Sequence, residues 1–310
     1  MAITESDVAS AAESIYATGK ILHLNANHDT IPSPGQIAIY AEIRQRISPS
    51  PLSCGMVVKV KKLQDNAEVP DDLRKAGEIF LKMFDRRAAQ QIRQDNGVDA
   101  WTEDMEHDFA KDLASGKIEG FLEKLRTVPN FQEDTEEDWD AAENEAYLAA
   151  ELLKCFNSEV TTYARLKEYQ GILIPRFLAA VTLNVSPFDT LLSPQQKELY
   201  QPKGVLLQYL QGFSLSTMIE QAPRSSWQSI VDQAIRIVHI LGDKDILNTN
   251  VRPDNFIIVP KTDMCEVFMI DFGQCRVRRG DETDEEWGRA KWIQDEEGAV
   301  GFVMKSKLKK

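Results

Sequence analysis

The sequence predicts a two-lobed α+β fold, with a strand-rich N-terminal lobe, a helical insertion within that lobe and a shortened C-terminal lobe. Short apolar and β-branched runs separated by turn residues occupy residues 36–85, which is typical of antiparallel strands. Apolar residues then recur at helical spacing over 139–169, which predicts one long helix or two consecutive ones. Two more strand candidates, FIIVP and MCEVFMI, follow near the C-terminus.

Composition limits the class of protein. The chain has 310 residues, of which 43% are apolar and 27% are charged, and its formal net charge is −13. These values are typical of a globular protein, and the acidic balance argues against a protein that coats nucleic acid by neutralising phosphates. The apolar runs are too short to span a bilayer, and the N-terminus lacks the pattern of a signal peptide. We therefore expect a soluble, cytoplasmic protein with no membrane partner, whose four scattered cysteines are reduced thiols.

The predicted boundaries divide the chain into three parts. Residues 1–35 combine a small-residue helical pattern with a loop rich in Asn, Pro and Gly, which predicts an N-terminal appendage. Residues 36–206 form the N-terminal lobe, with strands in IAIYAEI, MVVKVKKL and EIFLKMFD, a helical insertion at about 86–145 and a long helix that carries Glu159. Residues 207–310 form the C-terminal lobe, which includes an amphipathic helix in SSWQSIVDQAIRIVHILGDKD.

The two C-terminal strand candidates carry the most informative polar residues. Asn255 precedes one strand and Asp271 follows the next. An antiparallel pair would place this amide oxygen and this carboxylate side by side at one end of a sheet. Oxygen ligands of this kind suit Mg²⁺, which often takes its remaining ligands from phosphates and water. The sequence therefore predicts a magnesium site at Asn255 and Asp271.

The same two segments carry a family resemblance. The stretch from Asn248 to Asn255 reads N-T-N-V-R-P-D-N, and Asp271 opens a D-F-G tripeptide. The chain therefore resembles the protein-kinase-like superfamily, whose catalytic loop ends in a metal-binding Asn and is followed by D-F-G. The wider pattern over residues 36–303 is similar to a group of fungal kinase-like proteins. This resemblance implies a protein-kinase-like version of the two-lobed fold, with ATP and Mg²⁺ as cofactors.

The resemblance also assigns residues outside the hairpin. Lys82 in EIFLKMFD matches the third-strand lysine that pairs with nucleotide phosphates, and Glu159 matches the helix glutamate that pairs with that lysine. Glu145 or Glu151 would replace Glu159 if the helix register differs. The segment from Gln208 to Leu210 looks like the hinge between lobes, where backbone groups would meet an adenine edge.

Departures from the family pattern argue against standard kinase activity. The catalytic-loop aspartate, which accepts the proton of the substrate hydroxyl, is replaced by Asn250. No G-x-G-x-x-G stands between the first two strands, and no A-P-E segment follows Gly273. We therefore expect a pseudokinase-like binder of Mg-nucleotide that acts through a protein partner. A weak or atypical phosphotransferase is the first alternative, because positioning and electrostatics supply most of the catalysis of phosphoryl transfer.

A non-kinase group-transfer enzyme is the second alternative. Fungal arginine-containing cyclodipeptide synthases, which use aminoacyl-tRNA, are the candidate class. Docking of tRNA requires a basic surface on this acidic chain. Six arginines that flank the lysine strand and the D-F-G tripeptide are the candidates for that surface: Arg86, Arg87, Arg93, Arg276, Arg278 and Arg279. In the competing interpretation, these arginines are solvated and balance the acidic run at 133–145.

Overall fold

The structure is a computed structural model that describes residues 15–27, 36–47, 53–61, 70–184, 192–262 and 264–308. The chain folds into two compact units. The first unit comprises residues 1–156 and 178–207, and the second comprises residues 157–177 and 208–310. The chain therefore passes between the units three times.

Eleven strands and eleven α-helices are found in the described part of the chain. The strands are β1 (Ile21–Asn27), β2 (Gln36–Ile47), β3 (Cys54–Lys61), β4 (Ile79–Phe84), β5 (Phe177–Leu183), β6 (Lys203–Gln208), β7 (Phe213–Ser214), β8 (Ile246–Asn248), β9 (Phe256–Pro260), β10 (Cys265–Met269) and β11 (Cys275–Val277). The helices are α1 (Asp71–Lys75), α2 (Gln90–Asp95), α3 (Glu103–Ser115), α4 (Lys117–Thr127), α5 (Phe131–Thr135), α6 (Ala141–Arg165), α7 (Pro194–Tyr200), α8 (Met218–Gln221), α9 (Trp227–Asp243), α10 (Asp284–Gln294) and α11 (Glu296–Leu308).

The first unit is built on a closed barrel of six strands. Its strands follow the order β1-β2-β3-β4-β6-β5, and β1 closes the ring by pairing with both β2 and β5. Leu24 shows this closure, because it lies opposite Ile39 of β2 and opposite Leu183 of β5. Both pairings of β1 are antiparallel, as is the predicted pairing of β2 with β3.

Alternation along the strands fills the barrel with apolar side chains. In β1, Leu22, Leu24 and Ala26 are buried, whereas the residues between them are more exposed. Successive side chains of a strand point to opposite faces, so one face of each strand supplies the core. The other strands add inward residues with the same period of two: Ile39, Ala41, Ile43, Met56, Val58, Ile79, Leu81, Met83, Ala179, Val181 and Leu183. The barrel is thus a packed core, as expected for a small barrel.

This closure shows that the predicted fold class is wrong. The N-terminal sheet of a two-lobed protein-kinase-like fold is open, whereas the sheet of this chain is closed by β1. The prediction failed because Ile21–Asn27 was assigned to the appendage of residues 1–35. That assignment is also wrong for β1, which forms a wall of the barrel. Residues 1–14 and 28–35 lie outside the described residues.

Helices make up the rest of the first unit. The region predicted as a helical insertion, about 86–145, contains α2, α3, α4 and α5. The first half of α6 packs on them through alanines, of which Ala142, Ala146 and Ala149 are buried with Phe109 and Phe121. Small side chains at this spacing let neighbouring helices approach α6 closely. The predicted long helix at 139–169 is confirmed as α6.

The second unit contains two small sheets, and its helices α9 and α11 pack against each other. Strands β10, β9 and β7 form one sheet in that order, and β11 pairs with β8. The predicted amphipathic helix is confirmed as α9, with Ile230, Val231, Ile237 and Val238 buried on one side. No helix in the described ranges is long and apolar enough to cross a membrane. None of the four cysteines forms a disulfide bond in the structure.

Replacing Leu24 by Ala tests whether β1 belongs to the core. Leu24 is fully buried in the barrel, so we expect the free energy of unfolding to fall by about 2–5 kcal/mol, as for other large-to-small core changes. Ile21→Ala in the same strand is the matched control, because Ile21 is 41% exposed. Urea denaturation of both variants measures the effect. Equal losses for the two variants would contradict closure of the barrel by β1.

Candidate functional site

Asn255 and Asp271, the two residues predicted to bind Mg²⁺, lie at the end of the β9–β10 hairpin in the second unit. The two strands are antiparallel, with Phe256 opposite Met269. One step further, the Ile270 amide donates a hydrogen bond of 2.8 Å to the carbonyl oxygen of Asn255. Asp271 follows directly, so the backbones of Asn255 and Asp271 lie near each other at one end of the sheet.

A short turn holds the loop that leads into β9. Asn255 is buried, and its side-chain amide donates a hydrogen bond of 2.8 Å to the carbonyl oxygen of Asn250. The Asn250 amide in turn donates a hydrogen bond of 2.8 Å to Oδ1 of Asn248. Side chains of Asn readily bond to nearby backbone groups in this way. The backbone of Asn250 is therefore fixed from both sides.

Glu296, at the start of α11, anchors the other end of this loop. Its Oε1 accepts a hydrogen bond of 2.8 Å from the buried backbone amide of Asn248. Thr249 is tied to the carbonyl oxygen of Gln274 through both its amide and its hydroxyl, at 3.1 and 2.8 Å. The loop is thus attached to two other segments of the second unit before it reaches Asn250.

The backbone at Asp271 is held in an uncommon conformation. Asp271 has a φ of +67°, a left-handed conformation that Asp and Asn tolerate better than most residues. The next residue, Phe272, is fully buried, and its amide donates a hydrogen bond of 2.9 Å to Oε2 of Glu159. The hydroxyl of Ser158 donates to the carbonyl oxygen of Phe272 at 2.9 Å. The second half of α6 therefore fixes the turn that presents Asp271.

Negative charge collects around this turn. Burial, followed by the charges of Glu159 and Asp271, raises the pKa of the Tyr163 hydroxyl well above its usual value. Burial and the same two carboxylates also raise the pKa of Cys275. Both groups are consequently neutral near pH 7, and the carboxylates dominate the local potential.

Two buried polar atoms in this region have no hydrogen-bonding partner within the described residues. They are the hydroxyl oxygen of Tyr163 and Nδ2 of Asn248. An unsatisfied buried polar group costs about 1–3 kcal/mol unless water or a ligand satisfies it. The interior of the second unit therefore has hydrogen-bonding capacity available to bound water or to a ligand.

The predicted adenine-binding segment lies beside this loop. Gln208 ends β6, and its amide donates a hydrogen bond of 2.9 Å to the carbonyl oxygen of Arg176. Leu210 is half-buried. A Cβ atom on Gly212 would lie 2.2 Å from the carbonyl oxygen of Ile258, so only glycine allows this approach to β9. The hydroxyl of Ser214 donates to the carbonyl oxygen of Pro253 at 3.4 Å.

Lys82 lies in the first unit. It sits on β4 opposite Gly55 of β3 and is 6% exposed. Because Leu81 and Met83 point into the barrel, Lys82 lies on the outer face. Its Nζ lies 5.1 Å from the centre of the Phe84 ring.

The arginines that follow Lys82 form a buried ion network instead of a basic surface. Arg86 and Arg93 are only 4% and 3% exposed, and both donate to Glu145. Arg86 also donates to Glu106 at 2.8 Å, and this contact lowers the pKa of Glu106 to about 2 although burial opposes the shift. Arg87 pairs with the buried carboxylate of Asp85 at 2.7 Å. These side chains are committed to structural ion pairs and are not available to the phosphates of tRNA.

The arginines that follow the D-F-G tripeptide are also paired with acids. Arg276 donates two hydrogen bonds of 2.9 Å to Glu282. Arg278 donates to the carboxylate of Asp284 at 2.5 Å, and Arg279 donates to Asp281 at 3.2 Å. Each charge is therefore balanced by a nearby carboxylate. A basic surface at these residues stays a prediction, and this pairing is an observation against it.

The hairpin end provides few protein ligands for a metal. Within the described ranges there is no group of three or more His, Cys, Asp or Glu side chains that could hold a metal ion. The carboxylate of Asp271 and Oδ1 of Asn255 are hard oxygen donors of the kind that Mg²⁺ prefers. Oδ1 of Asn255 accepts one long hydrogen bond, 3.4 Å from Nε of Arg252. The two oxygens fit Mg²⁺ that takes its other ligands from phosphates and water.

Comparisons with known proteins add no assignment: no protein-family model matches the chain, and no curated protein matches it.

Two glutamates, one in each unit, have roles that sequence reasoning missed. Glu296 holds the Asn248 amide from a helix far along the chain, and Glu145, considered only as a substitute for Glu159, holds two buried arginines. Both carboxylates are at most 5% exposed. The sequence contained a weak signal for Glu145 alone, because it lies between alanines on the apolar side of a predicted helix. Glu296 lies in an acidic run that looks solvated.

Replacing Glu296 by Gln tests its hold on Asn248. Burial raises the pKa of Glu296 above its ordinary value of 4.5, although the Asn248 amide and Lys291 oppose the shift. A carboxyl whose pKa is raised on folding adds a cost that is absent below 4.5 and complete above the raised pKa. Glutamine keeps an acceptor oxygen and carries no charge. We therefore expect the stability of the variant relative to wild type to increase as the pH rises from 4.5.

Urea denaturation at a series of pH values measures this difference. The matched control is Glu297→Gln, because Glu297 is the next residue and its side chain is 59% exposed. A difference between wild type and Glu296→Gln that does not change with pH would contradict the burial of a charged carboxylate at this position.

Proposed function

We propose that the second unit binds a nucleoside triphosphate together with Mg²⁺ and does not transfer its phosphate. The proposal keeps the pseudokinase-like activity expected from the sequence but not the fold. The observation that supports it is the hydrogen bond from the Ile270 amide to the backbone carbonyl of Asn255, which brings the backbone of Asn255 next to that of Asp271 at the hairpin end. A Mg²⁺ ion held by Oδ1 of Asn255 and the carboxylate of Asp271 takes its remaining ligands from water and from phosphate oxygens.

The surroundings of the hairpin end support a phosphate-bound metal. Burial is the main cause of the raised pKa values of Tyr163 and Cys275, and the negative charges of Glu159 and Asp271 add to it. A negative site repels a phosphate chain on its own and attracts it when Mg²⁺ compensates the charge. Binding of nucleotide should therefore depend strongly on the metal.

Residue 250 explains why transfer is not proposed. In phosphoryl transfer a positioned carboxylate accepts the proton of the attacking hydroxyl. The backbone of Asn250 is held in place by Asn248 and Asn255, but its side chain is an amide, which does not accept a proton near neutral pH. A loop that is ordered but lacks the base fits binding without turnover.

The tRNA-dependent alternative has lost its structural support. Its basic surface required six arginines, and of these Arg86 and Arg93 are buried in ion pairs. The phosphotransferase alternative rests on the fixed backbone at Asn250, and it predicts turnover by the wild-type protein. The roles expected for Lys82, Gln208 and Leu210 in nucleotide binding stay predictions. The expected protein partner also stays a prediction.

Replacing Asp271 by Asn tests the metal ligand. Asparagine is as well suited as aspartate to the positive φ at this position, so the backbone is preserved while the charge is lost. We expect wild type to bind ATP with Mg²⁺, and the variant to bind Mg-ATP at least about tenfold more weakly, a loss of about 1.4 kcal/mol. Isothermal titration calorimetry with ATP, with and without Mg²⁺, measures both affinities.

A matched control is available in the same unit. Asp245 also has a positive φ, of 56°, and a partly exposed carboxylate, so Asp245→Asn makes the same chemical change elsewhere. We expect this variant to bind Mg-ATP like wild type. A wild-type protein that does not bind Mg-ATP, or equal affinities for wild type and Asp271→Asn, would overturn the proposal.

Replacing Asn250 by Asp separates binding from turnover. The change is nearly isosteric, and the hydrogen bonds at residue 250 use backbone atoms, so we expect stability to change by less than about 0.5 kcal/mol. Wild type should bind Mg-ATP without releasing phosphate, and the variant should release phosphate measurably because it regains a base. Turnover by wild type in a phosphate-release assay would favour the phosphotransferase alternative instead.

A further inference from the structure

Helix α10 in the second unit is unusually exposed for a folded helix. Of its eleven residues, only Trp287 is buried, beneath the guanidinium of Arg276 at 4.9 Å. Isolated helices shorter than about 12–15 residues are marginally stable in water, and most helices are stabilised by packing an apolar face. Yet Trp292 is 81% exposed and Ile293 is 69% exposed. Two large apolar side chains are therefore in contact with water at neighbouring positions of this helix.

The charges of α10 are arranged so that the helix complements itself. Acidic residues occupy its first turn, and the side chains of Asp284 and Glu285 are 96% and 85% exposed. Arg289, whose side chain is 70% exposed, lies one turn after Glu285 on the same face, ahead of Trp292 and Ile293. In an antiparallel pair of such helices, the acidic half of one copy faces the basic and apolar half of the other.

The centre of α10 leaves room for a second helix. Gly288 is exposed, and a Cβ atom placed on it would meet nothing within 4 Å. Glycine inside a helix costs roughly 0.5–1 kcal/mol relative to alanine, so the helix gives up stability here. The distance between packed helices depends on the side chains at their contact, and glycine allows the closest approach. Beside it, an open depression of about 450 Å³ is lined by Thr283, Glu285, Glu286, Arg289, Ala290 and Ile293.

We propose that α10 is the interface of a two-fold symmetric dimer, in which two copies of this helix pack antiparallel and cross near Gly288. At this crossing point, Arg289 of each copy lies between Glu285 and Trp292 of the other. The arginine can pair with the carboxylate and stack on the indole ring. Trp292 and Ile293 are covered at the same time, which removes the exposed apolar patch from water.

Charge reversal tests this arrangement. Analytical ultracentrifugation of the full chain should show a species of twice the 35.0 kDa mass of one chain. Glu285→Arg and Arg289→Glu each place like charges opposite each other in the dimer, so each variant alone should dimerise at least about tenfold more weakly. An equimolar mixture of the two variants should recover the dimer, because all four charges are then complementary across the interface.

The mixing experiment distinguishes the interface from a loss of helix. Glu285 and Arg289 also form a pair within α10 at 3.5 Å, and both single variants lose that pair equally. Unfolding of α10 would therefore not be repaired by mixing. Arg126→Glu is the matched control, because Arg126 is 74% exposed on α4 and has an intrahelical glutamate partner of its own. A monomeric wild type, or a dimer that persists in both single variants, would overturn the proposal.

Discussion

The closure of the barrel by β1 is the constraint on which the first unit depends. Because this strand pairs with β2 on one side and β5 on the other, no edge remains between them, and every strand turns one apolar face inward. The interior is then filled with side chains, and polar groups of the barrel strands lie on the outer face. Lys82 is outward for this reason. Strand alternation alone determines this position, so the position is not evidence for a function of the lysine.

The candidate site in the second unit depends instead on polar contacts. One backbone hydrogen bond, from Ile270 to Asn255, aligns the hairpin end, and side-chain amides then fix the loop before it. The side-chain amides of Asn248 and Asn255 each make a hydrogen bond to the backbone of Asn250, which orders the loop without adding charge. The carboxylates of Glu159 and Asp271 supply the charge from α6 and from the end of the hairpin. In this site, neutral side-chain amides order the loop, and a few carboxylates set the local charge.

The sequence was sufficient to predict features that depend on local patterns. Alternation predicted β2, β3 and β4, helical spacing predicted α6 and α9, and two short strands predicted the meeting of Asn255 and Asp271. Features that depend on distant pairing were missed. β1 was assigned to an appendage because its only local signal is a short apolar alternation beside turn residues, whereas its partner Leu183 is far along the chain. The burial of Arg86 and Arg93 was missed for the same reason. Helix packing brings their partners Glu106 and Glu145 to them, and no local pattern in the sequence shows this packing.

The proposed dimer face and the nucleotide-site loop share one stretch of chain. Asp295, with a φ of +43°, is the single residue between α10 and α11, and its carboxylate accepts a hydrogen bond of 3.2 Å from the Gly298 amide. A Cβ atom on Gly298 would lie within 2.7 Å of three atoms of that carboxyl group, so the turn is tightly packed. Glu296, the next residue, holds the amide of Asn248. A helix paired across the interface would thus restrain the residue that anchors the loop. Dimer formation and nucleotide affinity are therefore thermodynamically linked if α10 changes position on pairing, and independent if it does not.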